Sequence, residues 1–483
     1  MSKKTCIRVS LLVMAIGGLN VLAAWQAGAF APRAQQAGPV DPGQGDPSRG
    51  SGTTLRGSNG EAVAMTYAVE PKELSGNVKK GLSWLVAQQH PNGGWGQGGG
   101  WRTADQGGGR VEGANVQDPP DVGNTCMALL ALVRAGNTAT EGEYKDNVAK
   151  GLAFLCGKVE SADKDSLYVT DIRNTQLQSK IGPFVDTFLT TMILAELKGK
   201  SGSEQAETRL AAALDKTVAK IAKHQGKDGH FAGNQAWASV LSQGLAGKGL
   251  SRAAQAGNAD AIMAFRVEEQ RAKESFDQVA GNFKSAAVAG ETTVVTGLRA
   301  EAKPAGGAIA GPVAAAAPAA PSDAGVAIYG SSANLAALQE AVNNNERTKR
   351  DAKSVLADDK ADPEAKQKAE KDLQRVEETE KLQDKAVAAI VKQVERPEFV
   401  AGFGNNGGEE FLSFMNISET LLVRGGDEWK KWDKSVTDSV GRVQDKDGSW
   451  SGHHCITGKT FCTSAALLVL MADRMQVPVT AKK

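Results

Sequence analysis

The 483-residue sequence predicts an all-α protein. Three observations favour this class: a seven-residue turn signature occurs three times, a charged helical segment recurs around it, and nearly apolar helical segments lie between the charged ones. Repeated units of one kind are typical of chains that stack helical hairpins side by side. We therefore expect about six hairpins that close into a ring, with an inner apolar layer and an outer amphipathic layer.

The turn signature is Q-x-x-[ND]-G-x-[WF]. Asn or Asp before glycine favours a turn, because glycine adopts positive φ without a Cβ clash. Each helix should stop there, its glutamine should bond free backbone groups at the helix end, and the aromatic side chain should fold back. The predicted structural residues are Gln89, Gly93, Trp95, Gln225, Gly229, Phe231, Gln444, Gly448 and Trp450.

Two kinds of helix are predicted to alternate. The segment 80–85, KGLSWL, recurs as 150–155, KGLAFL, and belongs to the charged outer kind. The segment 125–132, TCMALLAL, is matched by 463–470, TSAALLVL, and is apolar all round, so it should be buried. The predicted hairpins pair 74–90 with 123–136, 143–158 with 185–199, 204–225 with 234–247, 252–280 with about 330–343, about 366–395 with 408–424, and 427–444 with 459–474.

The N-terminus predicts export. Residues 1–29 have a basic start, a largely apolar stretch over 9–25 and a small-residue cleavage site at 27–29, which indicates a signal peptide. The protein would then be extracytoplasmic, either periplasmic or secreted. The alternative is an uncleaved N-terminal anchor, since the apolar stretch is close to spanning length. That anchor would be the protein's one membrane contact.

Composition divides the rest of the chain. Residues 30–70 are predicted to be a disordered leader, and 283–328, rich in Ala and Pro, a disordered insertion. Ring hairpins occupy 71–282 and 401–476. Residues 329–400 form a helical segment with a charged hairpin, in which Asp362 caps a helix that starts at Pro363.

Charge excludes one class of partner. The chain has 56 basic and 55 acidic residues, a net charge of +1, which gives no electrostatic basis for nucleic-acid binding. An apolar, glycan or protein ligand is expected instead, and no cofactor is assigned.

The repeated segments resemble the QW repeats of squalene and oxidosqualene cyclases, which the β-subunits of protein prenyltransferases share more loosely. The resemblance covers 74–247 and 408–474 well and 250–400 poorly. It implies an α/α toroid of six helical hairpins. It also implies that the signature glutamines tie helix ends together and that the signature tryptophans stack on the next repeat.

The catalytic residues of those families are missing. No suitably placed D-x-D-D acid is present, aromatic residues make up only 5% of the chain, and no Asp-x-Cys pair exists for zinc. The first hypothesis is therefore a non-catalytic binding or scaffold module for an apolar, isoprenoid-like, glycan or protein ligand. The second is an enzyme on the same scaffold, either a polysaccharide lyase or hydrolase or a terpenoid-processing enzyme.

The cysteines and histidines leave two alternatives open. His453, His454 and Cys455 are consecutive, and Cys462 follows seven residues after Cys455. Imidazole and thiolate suit zinc or copper, whereas an exported protein favours a disulfide between Cys455 and Cys462. The four cysteines that remain after export allow three pairings, or all could be free: Cys126, Cys156, Cys455 and Cys462.

Acidic residues precede several predicted inner helices and would surround one end of the ring cavity: Asp121, Asp186, Glu409 and Glu410. The simpler interpretation is that they cap helix N-termini. A convergent cluster of Asp121, Asp186, His453 and His454 inside the cavity would favour the enzyme. Dispersed caps and surface groups would favour the binding module.

Overall fold

The computed structural model describes residues 62–101, 110–113, 115–279, 281–283, 324–396, 407–453 and 455–478. Every described residue lies in one compact unit, which falls within Gly57–Lys483. The predicted signal peptide and most of the two predicted disordered segments lie outside the described residues. No helix in the described part of the chain combines the length and apolar character needed to cross a membrane.

Most described residues are helical, which confirms the all-α prediction. The α-helices in the described ranges are α1 (Gly76–Ala87), α2 (Val122–Arg134), α3 (Lys145–Ser161), α4 (Gln176–Ile181), α5 (Val185–Leu197), α6 (Glu204–His224), α7 (Ser239–Gln255), α8 (Ala259–Glu274), α9 (Ala324–Ala357), α10 (Pro363–Val394), α11 (Gly408–Arg424), α12 (Gly426–Arg442) and α13 (Lys459–Leu470).

Short strands add three antiparallel pairs. They are β1 (Met65–Tyr67) with β6 (Gln476–Pro478), β2 (Gly100–Trp101) with β3 (Arg110–Val111), and β4 (Phe276–Asp277) with β5 (Asn282–Phe283). A 3₁₀ turn, Ala472–Arg474, precedes β6. The β1–β6 pair brings together the two ends of the described chain.

The helices alternate between two environments. The inner helices, α2, α5, α7, α9, α11 and α13, are buried along most of their length or, for α9, along its first half. The outer helices, α1, α3, α6, α8, α10 and α12, bury one face and expose the other. Each predicted hairpin therefore contains one outer and one inner helix. The short helix α4 was not predicted.

The inner helices contact one another in a closed order. Each one packs against the next along the chain, and α13 packs against α2. The outer helices follow a matching rule, because each packs against the inner helix of the preceding hairpin, and α1 packs against α13. We call this arrangement the helix cycle.

The first signature turn joins two hairpins through a buried tryptophan. The Nε1 of Trp95 donates to the carbonyl of Leu85 at 2.7 Å. Its ring fits against Gly151 in α3, where an added Cβ would lie 3.0 Å from the ring. The Nε2 of Gln89 donates to the carbonyl of Asn147 at 3.0 Å and to that of Gly93 at 2.9 Å. Glutamine and tryptophan thus both fasten the first hairpin to the second.

The last signature turn makes the same joint between the last hairpin and the first. The Nε1 of Trp450 donates to the carbonyl of Val440 at 2.8 Å, and its ring lies 2.8 Å from an added Cβ at Gly81. The Nε2 of Gln444 donates to the carbonyls of Asn77 at 2.9 Å and Gly448 at 2.8 Å. The contacts that join neighbouring hairpins along the chain therefore also join its two ends.

The middle turn is a variant of this joint. Phe231 has no N–H donor, and its ring packs against Phe188 with 4.9 Å between centroids. The Nε2 of Gln225 donates to Oε1 of Glu268 at 3.2 Å rather than to a backbone carbonyl. All three signature glycines have positive φ, as predicted: Gly93 91°, Gly229 82° and Gly448 92°.

Two predicted boundaries are wrong. The leader was expected to reach residue 70, but residues 65–67 form β1, whose backbone pairs with β6. The insertion was expected to reach residue 328, but α9 begins at Ala324 and continues into a long antiparallel hairpin with α10. The cap of α10 is as predicted, since the Asp362 side chain accepts from the backbone N–H groups of Glu364 and Ala365.

Candidate functional site

Two predicted carboxylates meet at the N-terminal ends of α2 and α5. Asp121 caps α2, where its Oδ1 and Oδ2 accept from the backbone and side-chain nitrogens of Asn124, both at 2.8 Å. Asp186 lies in the first turn of α5 and accepts from Nε2 of Gln178 at 2.6 Å. An added Cβ at Gly123 would lie 3.0 Å from Oδ1 of Asp186 and 3.7 Å from Oδ1 of Asp121. The two carboxylates therefore approach the same point.

The unpredicted helix α4 explains why these carboxylates are buried. Its Gln178 bonds Asp186, and its Gln176 donates to the carbonyl of Cys455 at 2.8 Å and to Oγ1 of Thr457 at 2.9 Å. Gln176 also accepts from the backbone N–H of Gly458 at 2.9 Å. These contacts tie α4 to the loop before α13 and shield this end of the inner helices.

Burial raises the pKa values of three carboxyl groups at this end of the inner helices. Burial, followed by the neighbouring charge of Asp186, raises the pKa of Asp121 to about 7. Burial likewise raises the pKa of Asp186. Glu409, in the first turn of α11, accepts from the backbone N–H of Ile456 at 3.0 Å, and burial raises its pKa to about 7. Its neighbour Glu410 is also buried.

Protein stability is expected to fall as pH rises from about 5 to about 8. The folded state holds protons on Asp121 and Glu409 that the unfolded chain releases near its ordinary carboxyl pKa values of 3.8 and 4.5. This stabilisation is complete below those values and is lost as pH rises through about 7, by on the order of a few kcal/mol in total. Urea midpoints measured across this range test the slope.

The variant Asp121→Asn should flatten the pH slope, because an amide keeps an acceptor for Asn124 and does not titrate. Asp438→Asn is the matched control, since the Asp438 side chain is 62% exposed on α12. A wild-type midpoint that stays level or increases toward pH 8 would contradict the raised pKa values.

The Cys455–Cys462 disulfide, one of the alternatives that the sequence left open, does not form, because none of the four described cysteines is bonded to another. Cys462 is buried in the first turn of α13, and its Sγ donates to the carbonyl of Ile456 at 3.3 Å. The Sγ of Cys126 lies 3.4 Å from Oγ1 of Thr190. Burial raises the pKa of Cys156 to about 11 and that of Cys455 to about 12, so these thiols are protonated and weakly reactive at neutral pH.

The predicted catalytic candidates do not form one cluster. Asp121 and Asp186 are buried together, whereas His453 is exposed and His454 lies outside the described residues. Within the described ranges, no group of three His, Cys, Asp or Glu side chains has the geometry to hold a metal ion.

The helix cycle holds a second charged cluster, which the sequence did not predict. Glu419 of α11 accepts from Nη2 of Arg134 at 2.7 Å and from Nζ of Lys248. In the same region Glu340 of α9 accepts from Nη2 of Arg252 at 3.1 Å. All five side chains are buried. Burial alone would raise the pKa of Glu419, but Lys248 and Arg134 lower it to about 2, so the carboxylate is charged.

A cavity of about 680 Å³ adjoins this second cluster. Its walls come from β1, β6 and the C-terminal ends of α2, α5 and α7. Two of the cluster's cations, Arg134 and Arg252, line it, whereas Lys248, Asp121 and Asp186 do not. The other lining side chains include Val63, Met65, Tyr67, Val133, Ala195, Ala256 and Met475.

Comparison with known proteins gives no match to a family model, a curated protein or a solved structure. The resemblance to squalene cyclases therefore stays a prediction based on the sequence pattern.

Proposed function

We propose that the chain forms an α/α toroid and acts as a non-catalytic binding protein that holds a small ligand in the 680 Å³ cavity. The cavity carries this proposal, because its volume lies within the range of about 300–1,000 Å³ typical of small-molecule sites. Its wall combines apolar side chains with eight charged ones, so it can both bury and orient a small ligand.

The toroid is supported by the helix cycle and by the two matching joints. Trp95 seats against Gly151, and Trp450 seats against Gly81, so the last hairpin meets the first as the first meets the second. Linear arrays of helical repeats need capping repeats to cover their two ends. A closed order of inner helices has no such ends.

The placement of the acidic residues supports binding over catalysis. Asp121 caps a helix, Asp186 bonds Gln178, and neither lines the cavity, while His453 is exposed elsewhere. An apolar ligand is favoured over a glycan, because Tyr67 is the one aromatic side chain among the described lining residues and sugar rings usually stack on aromatic faces. The predicted export places this binding outside the cytoplasm.

The neutral dye N-phenylnaphthylamine, whose fluorescence increases in apolar sites, is expected to bind one site per chain. Filling the cavity with Ala256→Trp should weaken binding at least tenfold, since Ala256 lines the cavity at the end of α7. Fluorescence titration measures both affinities.

Ala212→Trp is the matched control, because Ala212 lies on the exposed face of α6. It should bind the dye as the wild type does. Equal affinity in Ala256→Trp and wild type, or no saturable binding at all, would overturn the proposed site.

A further inference from the structure

We infer that the cavity selects ligands with an apolar body and one anionic group, which Arg134 binds beside the fixed positive charge of Arg252. This inference rests on the proposed function, because it concerns the same cavity. It adds the chemical class of the ligand, an amphipathic monoanion such as a carboxylate or a sulfonate.

One of the two arginines, Arg134, has a donor atom to spare. Arg134 uses Nη2 on Glu419, and its buried Nη1 has no hydrogen-bond partner among the described residues. Arg252 is engaged on every edge, because Nη2 donates to Glu340, Nη1 donates to Oε1 of Gln255, and Nε lies 3.9 Å from Oε1 of Glu196. Both residues are only 7% exposed. Buried donors are almost always satisfied, and an unpaired one is costly, so Nη1 of Arg134 points to an acceptor that a ligand supplies.

The protein holds both arginines in place. Glu419 and Glu340 belong to different inner helices, and each fixes one guanidinium in place through the bonds described above. Guanidinium groups present several donors in a rigid plane, so one edge can bind a protein carboxylate while another binds an oxyanion. Because the positions are already fixed, little conformational entropy is lost when a ligand binds.

The charge balance favours a single negative charge on the ligand. Five cationic and three anionic side chains line the cavity: Arg134, Lys198, Lys200, Arg252 and Arg474, against Glu141, Glu196 and Glu207. Behind them, Lys248 adds one positive charge while Glu419 and Glu340 add two negative charges. The lining therefore has a net charge of +2, and the side chains behind it reduce the total to +1. A single carboxylate or sulfonate on the ligand neutralises this charge.

The rest of the cavity suits an apolar body. Val63 and Met65 contribute from the β1 side, and Val133, Ala195 and Met475 from the inner helices and the segment before β6. Burial of this apolar surface favours binding but does not fix the orientation of the ligand. The arginines would fix the orientation, because they attract its anionic end.

Two dyes of nearly the same shape test this inference. Anilinonaphthalene sulfonate differs from N-phenylnaphthylamine by one sulfonate group. The experiment measures, on the full chain, the dissociation constants of both dyes for wild type, Arg134→Met and Lys248→Met. Arg134→Met is expected to weaken sulfonate binding about tenfold while changing the neutral dye less than twofold, because a charge-assisted hydrogen bond is lost.

Lys248→Met is the matched control, since Lys248 is a buried cation on the same Glu419 but does not line the cavity. It should leave the ratio of the two affinities unchanged. If Arg134→Met does not fold, as thermal melting would reveal, Arg252→Met gives the same test and the same expected change in ratio.

The inference would be overturned if the ratio of the two dye affinities were the same in wild type and in Arg134→Met. It would also be overturned if Lys248→Met changed that ratio as much as Arg134→Met does. Either result would leave the proposed function standing if Ala256→Trp still excludes the neutral dye. Failure of the proposed function is recognised separately, by neutral-dye binding that Ala256→Trp does not weaken.

Discussion

Replacing Trp450 with alanine is expected to lower the free energy of unfolding by about 3–5 kcal/mol. The indole is fully buried, fits against Gly81 of the first outer helix and donates to the carbonyl of Val440. Alanine would leave a void at the contact between the last and first hairpins and a carbonyl without its donor. Denaturant titration followed by circular dichroism measures the loss.

Trp84→Ala is the control for this change, because Trp84 lies on outer helix α1 and is only partly buried. It removes the same side chain without opening a joint, so its effect should be less than half as large. Similar midpoints for the two variants would show that the joint contributes no special stability.

Replacing Glu419 with glutamine is expected to lower the free energy of unfolding by about 3–5 kcal/mol. Glu419 is the shared counter-charge of Arg134 and Lys248, and the two cation side chains are 5% and 3% exposed. The amide has nearly the same shape but no charge, so both cations would stay buried with uncompensated charge. The same denaturant titration, at pH 7, measures the effect.

A triple variant separates charge from packing. Glu419→Leu combined with Arg134→Met and Lys248→Met removes the whole charged group while keeping most of its volume. Well-packed apolar replacements of buried ion groups are often neutral or stabilising, so the triple variant should recover most of the loss. If Glu419→Gln alone unfolds at the wild-type midpoint, the ionic contacts do not stabilise this region.

Much of the fold follows from local sequence. The inner helix α13 is predicted from its unbroken apolar run, and the start of α10 from Asp362 followed by proline, because both signals act within one or two turns of helix. The leader boundary is wrong for the opposite reason. Strand β1 is stable only because it pairs with β6, whose residues lie at the far end of the sequence.

The buried charged residues were likewise predicted only where local sequence determines their position. Asp121 and Asp186 were predicted at inner-helix N-termini because capping depends on neighbouring residues alone. The contact of Glu419 with Arg134 and Lys248 depends on which inner helices face one another, and a single sequence does not reveal it. The sequence held one signal of this contact. Lys248 and Glu419 are charged residues of opposite sign, and each lies in a helix that is buried along most of its length. The state of Cys455 and Cys462 was left open by the sequence, because a spacing of seven residues in a loop does not decide whether two thiols pair.

The two matching joints differ in the length of chain that separates the residues they connect. The bond from Gln89 to Asn147 spans 58 residues of chain, whereas the equivalent bond from Gln444 to Asn77 spans 367. Closing the longer loop from an unfolded chain is less favourable by about 1.6 kcal/mol of loop-closure entropy. The joint between α12 and α1 is therefore expected to form last during folding and to open first, although its bonds are the same.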